Sequence, residues 1–142
     1  MTMGFSEAYN EALRFLRVRF LSEAEMRGKL TRKGIDGRLA DAVVGRLKEE
    51  RLLDDCRLAR SVYRYYRQKE QYGHRYICNK LRQRHLPIPA DAEPGDEYET
   101  ACRLLRRRFG EETPDIRKIS RFLAYRGFSG AVIRAVTETY FP

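Results

Sequence analysis

Four carboxylates crowd one short stretch of this chain, Glu49, Glu50, Asp54 and Asp55. Such a set of hard oxygen donors could hold a magnesium ion for phosphodiester chemistry. The spacing argues instead for a helix end followed by a capping turn, in which Asp54 or Asp55 accepts from the first free N–H groups of the next helix. His74 and Cys78 stand one helical turn apart and could share a metal, yet zinc takes further ligands and only His85 is near in sequence. No Ser/His/Asp or Cys/His/Asn set can be assembled, and no phosphate loop of the G-x-x-x-x-G-K type occurs. The expectation is a protein that is not an enzyme, with no catalytic residues, metal, cofactor or small-molecule substrate.

Binding is the chemistry these residues favour. The chain carries 29 Lys and Arg against 20 Asp and Glu, a net charge of +9, which suits polyanionic partners. The excess is concentrated: residues 57–86 hold nine basic side chains against Glu70 alone, while 1–56 and 87–142 are near neutral at +1 and 0. Arg60, Arg64 and Arg67 step by 4 and 3 along one helix face, about 200° from the apolar Leu58. Arg75 and Arg82 lie two turns apart on the next helix, and Lys69, Lys80 and Arg84 add to the same segment. Five of the nine tyrosines (Tyr63, Tyr65, Tyr66, Tyr72, Tyr76) fall among these charges. Arginine forks hold phosphates, and exposed tyrosines stack on splayed bases. The competing reading is a solvated face above core tyrosines, since Tyr66 also has a packing role. The partner polyanion could be DNA, an acidic protein surface, or both. A second set, Lys118, Arg121 and Tyr125, steps away from the Ile116–Ile119–Leu123 face, with Arg126 following. Arg106, Arg107 and Arg108 form a third run, balanced by acidic residues between 93 and 115.

Helices must position these groups, and a cell repeated three times shows how. Superposing Leu30, Leu81 and Leu123 puts an apolar residue four positions earlier each time (Met26, Ile77, Ile119). A basic residue stands three later (Lys33, Arg84, Arg126) and an apolar one five later (Ile35, Leu86, Phe128). Glycine follows the basic residue twice, as Gly34 and Gly127, and His85 takes that place in the middle copy. Repetition of this kind means stacked helical units, each too small to bury its own apolar face. Stripes and caps predict eight helices. The first presents Tyr9, Leu13, Leu16 and Phe20, and the second opens on the capping box Ser22–Glu25. The third follows Asp36 with Leu39, Val43 and Leu47, and the fourth carries Leu58, Val62 and Tyr66. Gly73 opens a fifth, Asp96 a sixth with Ala101, Leu105 and Phe109, Thr113-Pro114 a seventh, and Ser129 the last, with Val132, Ile133, Val136 and Tyr140. Prolines at 87, 89 and 94 exclude regular helix from residues 87–95. Strand signals are absent. The expected fold is all-α: tandem divergent three-helix repeats, helix–turn–helix-like, elongated and open to curvature. The repeats are expected at 1–53, at 54–95 with the proline segment in place of a third helix, and at 96–142. Charges throughout residues 1–21 argue against a signal peptide, no apolar run approaches a membrane span, and three cysteines without a C-x-x-C pair fit reduced thiols in a cytoplasmic setting.

Several strings resemble the RecX family of bacterial RecA-regulatory proteins. Residues 22–34 are similar to its S-E-x-E-L-x-x-K-L-x-x-K-G segment, with Met26 for leucine. Residues 53–59, L-D-D-C-R-L-A, resemble its L-D-D-x-R-F-A turn, and Tyr72-Gly73 with Arg75, Ile77 and Leu81 resembles its Y-G-x-x-R-I-x-x-E-L stretch, with Lys80 for the acid. Residues 118–128, K-I-S-R-F-L-A-Y-R-G-F, are the closest match. Arg51-Leu52 departs from a common Gly-aromatic pair, and His85 from glycine. The resemblance implies a non-enzymatic protein that binds RecA and above all the RecA–single-stranded DNA filament, and DNA alone weakly. It further implies modulation, chiefly inhibition, of ATP hydrolysis, recombination and the co-protease activity behind the SOS response. An alternative is a helix–turn–helix transcription regulator or other basic DNA-binding protein acting without RecA, reading Lys33-Gly34-Ile35-Asp36 as its turn. Against it, the helix that would read bases presents Asp41, Glu49 and Glu50 alongside Arg38, Arg46 and Lys48. A membrane-surface role is disfavoured because the basic helices lack a broad apolar face.

Overall fold

Local sequence starts and stops every helix that carries the basic residues. A computed structural model describes residues 3–112 and 114–140, Tyr140 in its backbone only. Among the described residues there are eight helices and no strand: α1 (Phe5–Val18), α2 (Glu23–Arg32), α3 (Gly37–Glu49), α4 (Asp55–Lys69), α5 (His74–Gln83), α6 (Glu97–Phe109), α7 (Ile116–Tyr125) and α8 (Gly130–Tyr140). The capping box opens α2, with Ser22 Oγ accepting from the Glu25 N–H at 3.1 Å and Glu25 Oε1 from the Ser22 N–H at 2.8 Å. Asp96 accepts from the Glu99 N–H at 3.0 Å to open α6, and Ser129 from the Val132 N–H at 3.2 Å to open α8. Residues 87–95 hold no helix.

The repeated cell is a helix stop. The carbonyls of Leu30, Leu81 and Leu123 accept from the N–H groups of Ile35, Leu86 and Phe128 at 3.1, 2.9 and 3.0 Å. Inside each loop, Gly34, His85 and Gly127 donate to Thr31, Arg82 and Ala124 at 2.9, 3.0 and 3.0 Å, with φ of +84°, +57° and +89°. This pairing of a 6→1 and a 5→2 bond is the Schellman closure, whose apolar contact joins the leucine to the residue five later. Both partners are buried in all three copies. The same closure ends α3, where Leu52 donates to Leu47 at 2.8 Å and Arg51 adopts φ +60°.

Four expectations need correction. The chain turns extended at Arg19, so α1 ends before Phe20, which is 67% exposed; Tyr9, Leu13 and Leu16 of the expected stripe pack against the core beside the fully buried Ala8 and Ala12. On α4 the buried positions are Ala59 and Tyr63, while Leu58, Val62 and Tyr66 are half-buried. Asp36 stands at the N-cap of α3 without a side-chain bond to it. Asp115 caps α7 through the Arg117 N–H at 3.1 Å, which leaves Pro114 before the cap and Ile116 exposed; the expected Thr113 cap lies outside the described residues.

By packing, the chain divides into two compact units, each discontinuous in sequence: residues 1–61 with 81–87, and residues 62–80 with 88–142. In the first, α3 packs on α1 and α2 around Leu21, Met26, Leu30, Val43, Val44 and Leu47. In the second, α8 packs on α6 and α7 around Leu105, Ile119, Leu123, Phe128 and Val136. Within the second unit α5 begins after a glycine, which offers no capping side chain. Its first donors are met from elsewhere: the N–H groups of Gly73, His74 and Arg75 bond to the Arg126 carbonyl, Glu97 Oε1 and the Gly127 carbonyl at 2.7, 3.0 and 3.2 Å. A Cβ on Gly73 would collide with the Gly127 carbonyl, and one on Gly127 with the backbone of Tyr76. Glycine at both positions allows this backbone-to-backbone approach.

Candidate nucleic-acid and partner interface

Three of the four clustered acids have structural tasks. Asp54 accepts from the Arg57 N–H at 3.1 Å, Asp55 from the Glu23 N–H at 3.0 Å, and Glu50 from the Tyr9 hydroxyl at 2.7 Å. His74 is engaged at both ring nitrogens, Nδ1 lying 2.7 Å from the Tyr63 hydroxyl and Nε2 3.3 Å from Cys78 Sγ. Tyr63 also donates to the Glu93 carbonyl at 3.2 Å. Burial above all, with the Glu97 charge, pushes the Tyr63 hydroxyl above its usual pKa against the pull of Arg67, and the hydroxyl stays protonated as a donor. Among the described residues no group of three or more His, Cys, Asp or Glu side chains converges.

The predicted basic residues divide between the units. The first unit holds Arg60, Arg82 and Arg84. Arg60 and Arg82 are exposed, whereas Arg84 is tied inward. Its guanidinium meets both Glu25 oxygens, at 3.0 and 3.1 Å, and donates to the Phe20 carbonyl at 2.9 Å. Burial opposes ionisation of Glu25. The Arg84 hydrogen bond, the Ser22 N–H and the Arg84 and Arg19 charges outweigh it and hold that carboxyl below its usual pKa.

The second unit holds Arg64, Arg67, Lys69, Arg75, Lys80, Lys118, Arg121, Tyr125 and Arg126. Arg64, Lys69 and Arg75 are exposed, and Arg67 and Lys80 half-buried. Glu70, the one acid of the basic segment, pairs with Arg103 at 3.0 Å and neutralises none of them. The tyrosines interleaved with these charges pack on one another. Tyr66 meets Tyr65, Tyr72 and Tyr76 edge-on at 5.2, 5.6 and 5.9 Å, and Tyr72 stacks on Tyr76 at 4.2 Å. Cations cover their faces: Lys69 lies 4.6 Å from Tyr65, Lys80 5.2 Å from Tyr76 and Arg126 5.5 Å from Tyr72. Of the five tyrosines among these charges, Tyr63 is therefore core, Tyr66, Tyr72 and Tyr76 form a half-buried cluster, and Tyr65 is 55% exposed, so the packing reading holds for four of them. On α7, Lys118, Arg121 and Tyr125 all face solvent, and Tyr125 is 83% exposed. One feature escaped sequence reasoning: a hollow of about 230 Å³ lined by Gln71, Leu104, Arg107, Arg108, Phe122 and Arg126. Its sequence signal was the Arg106–Arg108 run, but its lining comes from three separate segments.

The described residues thus form an all-α fold of short helices, four of them Schellman-closed, with an uncompensated basic surface in the second unit. Known proteins place it more narrowly. Family models described as the first and third three-helix domains of RecX match residues 8–47 and 95–137. The chain is 40% identical over 136 residues to the regulatory protein RecX of Xanthomonas axonopodis pv. citri, spanning 89% of this chain and 83% of that protein. It is 38% identical over 136 residues to the RecX of Stenotrophomonas maltophilia, with the same coverage. The crystal structure of RecX from Lactobacillus salivarius shares the fold, with a TM-score of 0.80 at 22% identity over 96% of each chain. The chain belongs to the RecX family of regulatory proteins.

Proposed function

We propose that this protein is a non-enzymatic, cytoplasmic regulator that binds RecA and the RecA–single-stranded DNA filament. It lowers the filament's ATPase, recombinase and co-protease activities, and so acts in homologous recombination, DNA repair and the SOS response. Family membership supports this reading: the relatives are named regulatory proteins, and the RecX resemblance implies RecA. The observation in this chain that carries the reading is the uncompensated basic surface of the second unit. Arg64, Arg67, Lys69, Arg75 and Lys80 have no ion pair with an acid among the described residues, and Glu70 is committed to Arg103. Exposed guanidinium groups of this kind suit phosphates and carboxylates alike, and elsewhere in the unit Tyr125 offers an open ring at 83% exposure.

The direct test is co-sedimentation with RecA filaments on single-stranded DNA, alongside naked DNA and RecA without DNA, with ATP hydrolysis measured in parallel. Tighter retention on the filament than on either component, with slower hydrolysis, is the expected result. Equal retention on naked DNA, with no gain from RecA, would leave only a generic DNA binder.

A further inference from the structure

The hollow between α6 and α7 has a composition that the DNA reading does not use. Arg107 and Arg108 are exposed and lie on its wall, with no ion pair among the described residues, and Leu104 and Phe122 form an apolar floor. Arg126 closes one side. It is held there by its bond to the Gln71 carbonyl at 3.3 Å and by the Phe122 ring, 5.2 Å away. From these observations we infer that the hollow is a docking site for an acidic peptide segment carrying one aliphatic side chain. The aliphatic group would sit on Leu104 and Phe122, with flanking carboxylates on Arg107 and Arg108.

Two features favour a peptide over a nucleotide. One face of the Phe122 ring is covered by Arg126 and the ring makes a T-shaped contact with Phe109 at 5.8 Å, which limits the aromatic plane open to a stacking base. A base pressed against Leu104 would bury its polar edges beside apolar carbon, and unmet polar groups cost free energy. A Leu or Ile side chain has no such edges, and a volume of about 230 Å³ accommodates it. Planar guanidinium forks match carboxylates in a bidentate way, as they do phosphates, so they give the flanking acids a register while the apolar floor makes the choice of ligand. Nothing in this hollow requires RecA to be the partner.

The test uses the full chain and a fluorescein-labelled peptide, Gly-Asp-Glu-Leu-Glu-Asp-Gly, in an anisotropy titration. Three comparisons accompany it: the same peptide with serine for leucine, a six-nucleotide oligothymidylate, and the R107E/R108E protein, whose changes lie at exposed positions and leave the core untouched. Expected are saturable binding of the leucine peptide, about tenfold weaker binding of the serine peptide from the lost apolar burial, and loss of binding to the doubly reversed protein. Circular dichroism of that variant should match the parent. No saturable peptide binding, equal binding of the serine peptide, or displacement by the oligothymidylate at matched charge would each overturn the inference. Filament co-sedimentation of the same variant keeps the two readings apart: peptide binding can fail while filament binding stands, and the reverse.

Discussion

Arg84 shows how one side chain can look like a ligand-binding group and be committed elsewhere. Its guanidinium is 22% exposed and chelates Glu25, itself 16% exposed. Arg84→Ala removes charge-assisted hydrogen bonds and strands a half-buried carboxylate, so a loss of about 1–3 kcal/mol in urea unfolding is expected. The pH dependence has a defined sign. The Glu25 pKa is lower in the folded state, so ionisation favours folding above the ordinary glutamate value of about 4.3, and that contribution disappears as pH falls through the folded pKa. Glu25→Gln should flatten the acid limb of the stability profile below that value while removing stability at neutral pH. Sequence could display the charge of Arg84 but not its partner, because Glu25 lies 59 residues away. Tyr63 was hidden in the same way, its burial set by His74 and the Glu93 carbonyl rather than by local spacing.

At the scale of elements, legibility followed range. The repeated cell was readable because a Schellman closure involves six consecutive residues, so its leucine, left-handed position and second apolar residue recur at fixed offsets. The cell also explains why His85 is the odd member: at φ +57° a side chain is strained where Gly34 and Gly127 are not. His85→Gly should therefore raise stability by about 1 kcal/mol, and Gly34→Ala should lower it by a similar amount, both read from urea midpoints. What sequence could not show is the cap of α5, whose donors reach Arg126, Gly127 and Glu97. Gly73→Ala tests that cap. The new methyl meets the Gly127 carbonyl, so a loss of about 2–3 kcal/mol is expected, well above the cost at an open glycine.

For the molecule as a whole, the +9 net charge makes ionic strength a probe of its partners. With Arg64→Ala and Arg75→Ala combined, binding to naked single-stranded DNA should show a log–log salt slope shallower by about 0.7 for each phosphate no longer neutralised. Circular dichroism should remain native because both side chains are exposed. An unchanged slope would mean that neither arginine meets a phosphate. The helix class and count were visible from caps and stripes, whereas the packing of residues 81–87 with the first unit was not, since it depends on residues far apart along the chain. The backbone approach of Gly73 to Gly127 carries a further consequence, for biosynthesis. Residues 74–83 leave the ribosome well before residues 126 and 127, so two of the acceptors that close the first turn of α5 are the last to be made. A ribosome-stalled chain ending before residue 126 should hold α5 with a frayed first turn, open to amide exchange and proteolysis, and protection there should appear once that stretch has emerged.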